Sequence, residues 1–235
     1  MVREEISRDY LLKMKIAAPI RLVPDMGFVL EPALDHRILE ILSNENVEIK
    51  HPLVGIALRD NLYKHLDVIS EVIDYLTLKM NASIVFIPHI SSSDAFYFYD
   101  PRFIAGKILK KIKVKRQISL IEGEYTAEEL RGLIGKCDLF IGAYMHANIS
   151  ALSMYIPTIA ISYSHKTDGI MNVAGLGEFV LHINDLDAMR LIKKIEKAYR
   201  SLDRNREVLE QKVPILQKAA MRAGEFVKNA TKSAV

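Results

Sequence analysis

The feature that most constrains this chain is the alternation of short apolar runs with amphipathic stretches, which begins near residue 53 and continues almost to the C-terminus. VGIAL, SIVFIP, QISLI, DLFIG, TIAIS and the shorter FVLHI read as strands. Between them lie segments with helical spacing. Leu62 to Met80 puts Leu66, Ile69, Ile73 and Leu76 on one side, and Phe103 to Ile112 forms another helix. Thr126 and Glu129 form a capping box that opens a helix ending near Lys136. Ala147 to Met154, Leu186 to Tyr199 and a tail from Asp203 to about Val227 complete the set. Strands joined through helices build parallel sheets with right-handed crossovers, so the expected fold is α/β, a Rossmann-like parallel sheet flanked by helices.

Upstream, Ile6, Tyr10, Leu11 and Met14 give a helix over Arg3 to Met14. The run IRLV reads as a strand, Pro24 and Asp25 as a turn, and Leu34 to Leu42 as a second helix. A polar stretch from Asn44 to Pro52 is the expected linker. Residues 1–51 are therefore a lead-in segment and residues 52–235 the main lobe. A chain of 235 residues suits one full α/β core of this kind.

Charge and motif content exclude several classes of function. The net charge is only +3, with Lys and Arg scattered over the helices, so the concentrated basic face needed for duplex nucleic acid is missing. A mildly basic surface suits a small anionic substrate. Cys137 has no second cysteine to pair with, and the N-terminus MVREEISRDYLLK lacks the apolar core of a signal peptide, so a reducing, cytoplasmic setting is expected. The stretch from Leu139 to Ser164 is long enough to span a bilayer, but Gly142, His146, Asn148, Ser150, Ser153 and Pro157 divide it into strand, turn, buried helix and strand. No transmembrane segment is expected. Phosphate loops of the GxxxxGK[ST] kind, GxGxxG, GxSxG and the HxxxH or CxxC spacings of metal sites do not occur, so no cofactor or metal is expected.

Open parallel sheets bind ligands outside the carboxyl ends of their strands, and the polar residues there are the candidates. Arg59 follows VGIAL, His89 follows SIVFIP, Tyr144 and His146 follow DLFIG, and Lys166 follows TIAIS. Together they make a credible cluster for an anion carrying phosphate and carboxylate. Each also has a plainer reading: Arg59 pairs with Asp60, His89 makes a turn contact in HISSSD, His146 satisfies backbone groups at a helix start, and Lys166 is solvated. Asp94 is either a cap or a sugar ligand, and Phe96 to Tyr99 either packing or a sugar platform.

The block IGAYMHANISALSMYIPTIAISYSHKTDGI resembles the polysaccharide pyruvyl transferase family. In that family a strand leads to a Gly-x-Arg-x-His-Ala segment, a small-residue helix, a Pro-containing strand and a Tyr-x-x-Lys turn. Gly142, His146, Ala147, Pro157, Tyr163 and Lys166 follow this order, while Tyr144 stands where the family has Arg and supplies neither charge nor a bidentate fork. VPDMGFVLEP is similar to the segment closing the family's first lobe, and VGIALR to the strand opening its second. The resemblance implies one lobe, mainly the C-terminal one, of a two-lobed fold of the GT-B glycosyltransferase type. It implies transfer of the pyruvyl group of phosphoenolpyruvate to a sugar of a glycan precursor. In that scheme His146 is the general acid or a donor ligand, Arg59 binds the donor, and His89, Tyr144 and Lys166 line the substrate site. The alternatives are a GT-B glycosyltransferase lobe gripping a nucleotide sugar through His146 and Lys166, or a shortened subunit that pairs with a separate first lobe or with itself.

Overall fold

The computed structural model describes residues 1–90, 100–115 and 117–232. Asp94 and Phe96 to Tyr99 lie outside them. Six parallel strands form one sheet: β1 (Leu53–Ala57), β2 (Ser83–Phe86), β3 (Ile118–Leu120), β4 (Leu139–Gly142), β5 (Thr158–Ser162) and β6 (Val180–His182), in the order β3-β2-β1-β4-β5-β6. The strand order reverses between β1 and β4, and these two pair in register from Val54 opposite Leu139 to Ala57 opposite Gly142. That junction is the topological switch point of a doubly wound sheet, where the chain leaves in opposite directions and a crevice opens.

Alternation along each strand divides the core in two. Val54, Ile56, Ile84 and Phe86 face one layer, built by α3 (Leu66–Lys79), α4 (Pro101–Lys111) and α8 (Ala188–Arg200). Leu53, Ala57, Val85 and Ile87 face the other, built by α2 (Asp35–Asn44), α5 (Ala127–Ile134) and α6 (Met145–Ser153). Burial on both faces is why the strands read as continuous apolar runs. Local signals set the helix starts. Thr126 and Glu129 make the reciprocal capping box of α5, Asp100 caps α4 with Pro101 in its first turn, and Asp187 caps α8. Every residue from Ala147 to Ser153 of α6 is buried, which accounts for the uncharged stretch around it, and among the described residues no helix is long and apolar enough to cross a membrane.

Two elements differ from the sequence expectation. The run IRLV makes only a single bridge, Leu22 to Val2, because that segment stands apart from the main sheet and has just one backbone neighbour. A nine-residue helix, α7 (His165–Val173), follows β5 where no apolar period announced one. It forms by packing against α1 (Glu5–Lys13), with the Glu4 side chain lying directly on Gly169, so its stability is tertiary. The chain ends in α9 (Leu202–Met221) and α10 (Ala223–Lys232). The lead-in is tied to the rest: Phe28, in a 3-10 turn over Met26–Val29, is fully buried in the core beside α6 and α9, and Ile38 and Ile41 of α2 pack on α5.

Candidate functional site

Residues just beyond the carboxyl ends of β1 and β4 flank the switch point. Arg59 leaves the end of β1 and its guanidinium lies over two aromatic rings, 4.0 Å from the centre of Tyr163 and 5.5 Å from that of Tyr144. Its Nε donates to Asp60 Oδ1 at 3.1 Å, a half-exposed pair between neighbours that an incoming anion can replace. The aromatic cradle fixes a charge whose side chain would otherwise sample many rotamers. Burial, followed by the Asp60 carboxylate, pushes the Tyr144 phenol up to about 12, so Tyr144 stays a neutral hydroxyl.

Tyr144 is also the N-cap residue of α6 and gives that terminus no side-chain bond. The first turn of α6 therefore presents free backbone N–H groups beside Arg59, at the positive end of the helix. A Cβ at residue 142 would collide with the amide oxygen of the buried Asn148, so glycine is what lets β4 turn into α6 at this distance.

His146, in that first turn, is 60% exposed at its side chain and faces a residue from the lead-in. Its Nε2 lies 3.8 Å from Oδ2 of Asp25, which is itself buried. Asp25 is held from two sides: its Oδ1 accepts from the Gly27 backbone at 2.8 Å, and its Oδ2 accepts from Arg3. Beneath it, the guanidinium of the buried Arg131 donates to the backbone carbonyls of Gly27 and Leu30 and fixes the 3-10 turn. In the sequence Asp25 reads only as a turn residue, and Arg131 does not stand out. The carboxylate ahead of a buried Gly-Phe pair was the available signal for Asp25, whereas nothing local distinguishes Arg131 from other helical arginines.

His89 lies beyond β2, close enough to His146 and Arg131 to feel both charges. Burial first, and those two positive groups second, pull its imidazole down to about 4, and its Nδ1 is buried without a partner among the described residues. It is neutral at physiological pH and offers hydrogen-bonding capacity rather than charge. Lys166, in the first turn of α7, is exposed and makes no ion pair among the described residues. The structure thus brings Arg59, Tyr144 and Tyr163 together, places His146 two residues after Tyr144 in the first turn of α6 and against Asp25, sets His89 beyond β2, and sets Lys166 in the first turn of α7 after β5.

Both His89 and Asp25 carry measurable consequences. Between pH 6.5 and about 4 the unfolded chain carries a proton on His89 that the native chain does not, so acidification through this window should lower stability by about 3 kcal/mol, with no contribution above 6.5. His89→Gln should flatten that dependence when urea midpoints are compared at pH 7 and pH 4.5. Asp25→Asn keeps the bond to the Gly27 amide but removes the charge beside His146. Loss of the Asp25 ion pair with the half-exposed Arg3 should lower stability by no more than about 1 kcal/mol, read from the urea midpoint.

A family model described as polysaccharide pyruvyl transferase matches residues 1–165. The amylovoran biosynthesis protein AmsJ of Erwinia amylovora is 31% identical over 117 residues, which are 50% of this chain and 27% of that protein. Among solved structures, a glycosyltransferase from Rickettsia africae superposes with a TM-score of 0.65 at 15% identity, covering 95% of this chain and 61% of the other. The UDP-GlcNAc 2-epimerase of Methanocaldococcus jannaschii, solved with UDP-GlcNAc and UDP, gives 0.58 at 16% identity, covering 84% and 53%. The chain therefore spans about a quarter of the curated relative and a little over half of these structures. The two structural likenesses establish a fold shared with GT-B proteins.

Proposed function

The chain belongs to the polysaccharide pyruvyl transferase family, and from that premise we propose that its switch-point crevice binds phosphoenolpyruvate and transfers the pyruvyl group to a sugar of a glycan precursor. The observation that supports this most is the pairing, across the β1–β4 junction, of a cradled cation with an acid–base group. Arg59 and the free N–H groups of α6 offer charge and donors to phosphate and carboxylate, and His146 stands in the same helical turn beside a buried carboxylate.

In the reaction so read, protonated His146 delivers its proton to the methylene carbon of the donor. The double bond becomes a methyl group and leaves positive character on the adjacent carbon. A sugar hydroxyl adds there and loses its proton. The phosphate then departs with its bridging oxygen, and a second hydroxyl closes the ketal and loses its own proton. Asp25 stabilises the charged imidazole, and Arg59 stabilises the departing phosphate. Tyr144 supplies a neutral donor at a position where a second cation would crowd Arg59. In this reading the exposed Lys166 assists the departing phosphate from the β5 side, and His89 contributes a hydrogen bond. The lone Cys137, fully buried with its thiol pushed up by burial, suits the reducing cytoplasm where such precursors are assembled.

The test is a thermal-shift and calorimetric titration with phosphoenolpyruvate, with a nucleoside diphosphate sugar run in parallel. Saturable stabilisation by phosphoenolpyruvate is expected. A response only to the nucleotide sugar would replace this reading with a glycosyltransferase lobe, which the fold shared with the Rickettsia enzyme also accommodates. Tyr10, Leu12, Met14 and Ile16 are exposed along and just beyond α1, and they favour a variant of the proposal in which a separate first lobe or a second copy covers that face.

A further inference from the structure

A cavity of about 240 Å³ opens outside the carboxyl ends of β2 and β3, lined by His89, Arg102, Gly123, Glu124, Tyr125 and Leu130 among others. We propose that it is the pocket for the sugar ring of the acceptor, an uncharged polyol.

The charges of the lining argue against an anion. Arg102 is the one arginine there, and its guanidinium is committed: Nε lies 3.0 Å from each oxygen of the buried Asp100, and Nη1 donates to the Glu122 carbonyl at 2.7 Å. Its charge is balanced within the wall. His89 is held neutral by burial and by its positive neighbours, and Glu124, 70% exposed, adds a carboxylate that would repel phosphate. The remaining polar groups suit hydroxyls. Glu124 accepts from them, and the neutral imidazole of His89 lines the cavity as a further hydrogen-bonding group. A hydroxyl can donate or accept and so serves either imidazole tautomer.

The wall is also rigid before any ligand arrives. Glu45, at the end of α2, accepts from the backbone N–H groups of Glu122 and Gly123 at 2.8 and 2.9 Å and from the Tyr125 hydroxyl at 2.6 Å. A Cβ at residue 123 would meet the Tyr125 ring at 2.8 Å, so the loop lies directly on the aromatic edge. A fixed ring with polar groups around it is the usual wall of a sugar site. The assignment to an acceptor rests on the transfer reading. His89 lines the cavity beyond β2, and β2 flanks β1, whose other neighbour β4 leads to His146, so a sugar held here lies along the same strand-end edge as the group that would protonate the donor.

The test uses the full chain with ring-labelled histidine and tyrosine, followed by NMR while methyl glycosides of glucose, galactose and mannose are titrated, and separately phosphoenolpyruvate and uridine. The expected result is saturable shifting of the His89 and Tyr125 signals by at least one glycoside, undiminished with phosphoenolpyruvate present. The surface change Glu124→Gln should weaken that glycoside by about tenfold and leave phosphoenolpyruvate affinity unchanged, and His89→Gln should weaken the glycoside by a similar factor. Binding of phosphoenolpyruvate with no glycoside response overturns the pocket and spares the transfer reading. Glycoside binding with no phosphoenolpyruvate binding keeps the polyol pocket and removes its role as acceptor site. If phosphoenolpyruvate or uridine moves the Tyr125 signal and Glu124→Gln alters that response, the cavity is a donor or nucleotide site and the proposal fails.

Discussion

His146→Ala is expected to lower turnover of phosphoenolpyruvate by about a hundredfold or more, the usual loss when a positioned general acid is removed. The same change should leave stability within about 0.5 kcal/mol of the parent. The side chain is largely exposed, makes no hydrogen bond among the described residues, and touches the fold only through its 3.8 Å approach to Asp25. Removing it leaves no cavity and no buried orphan, because Asp25 keeps Arg3 and the Gly27 amide. The paired measurement is a phosphate-release assay with a urea melt. A large loss of stability with intact turnover would reassign His146 to holding the lead-in onto α6.

The largest effect on stability is expected at Arg131. Arg131→Met keeps much of the volume but deletes the donors to the Gly27 and Leu30 carbonyls, leaving two part-buried acceptors unmatched at a cost of about 1–3 kcal/mol each. Part is offset because a guanidinium at 2% exposure no longer has to be desolvated. The net expectation is a loss of about 3 kcal/mol, read from the urea midpoint. Turnover should fall with it in conditions where the variant is folded, since the freed turn carries Asp25 and Gly27, a position where an added Cβ would come within 3.8 Å of the His146 ring. An unchanged midpoint would show that the carbonyls find water when the arginine leaves. A lower midpoint with normal turnover would show that the turn does not position His146.

Much of this protein is legible without coordinates, because the signals concerned are local. Burial on both faces makes β1, β2, β4 and β5 continuous runs of buried, mostly apolar residues, and the Thr126–Glu129 box announces α5 within four residues. The residues after the strand ends could be named in advance because the carboxyl edge of a parallel sheet is fixed by its handedness. The unannounced helix α7 has the same explanation in reverse. Its buried positions are Thr167, Gly169, Ile170 and Met171, a set with little apolar period, and the helix exists because α1 packs on it.

The sequence by itself determined the α/β class, the alternation of strand and helix, the family and the set of polar residues at the strand ends, since each depends on patterns within a few tens of residues. The tertiary structure alone decided which of those residues meet. The order β3-β2-β1-β4-β5-β6 makes β1 and β4 neighbours across some eighty intervening residues, and so puts Arg59 beside Tyr144. The fold of the lead-in brings Asp25 to His146, and burial, which no single segment encodes, leaves His89 neutral. Proximity and desolvation are properties of the packed chain, and the chemistry at the switch point depends on both.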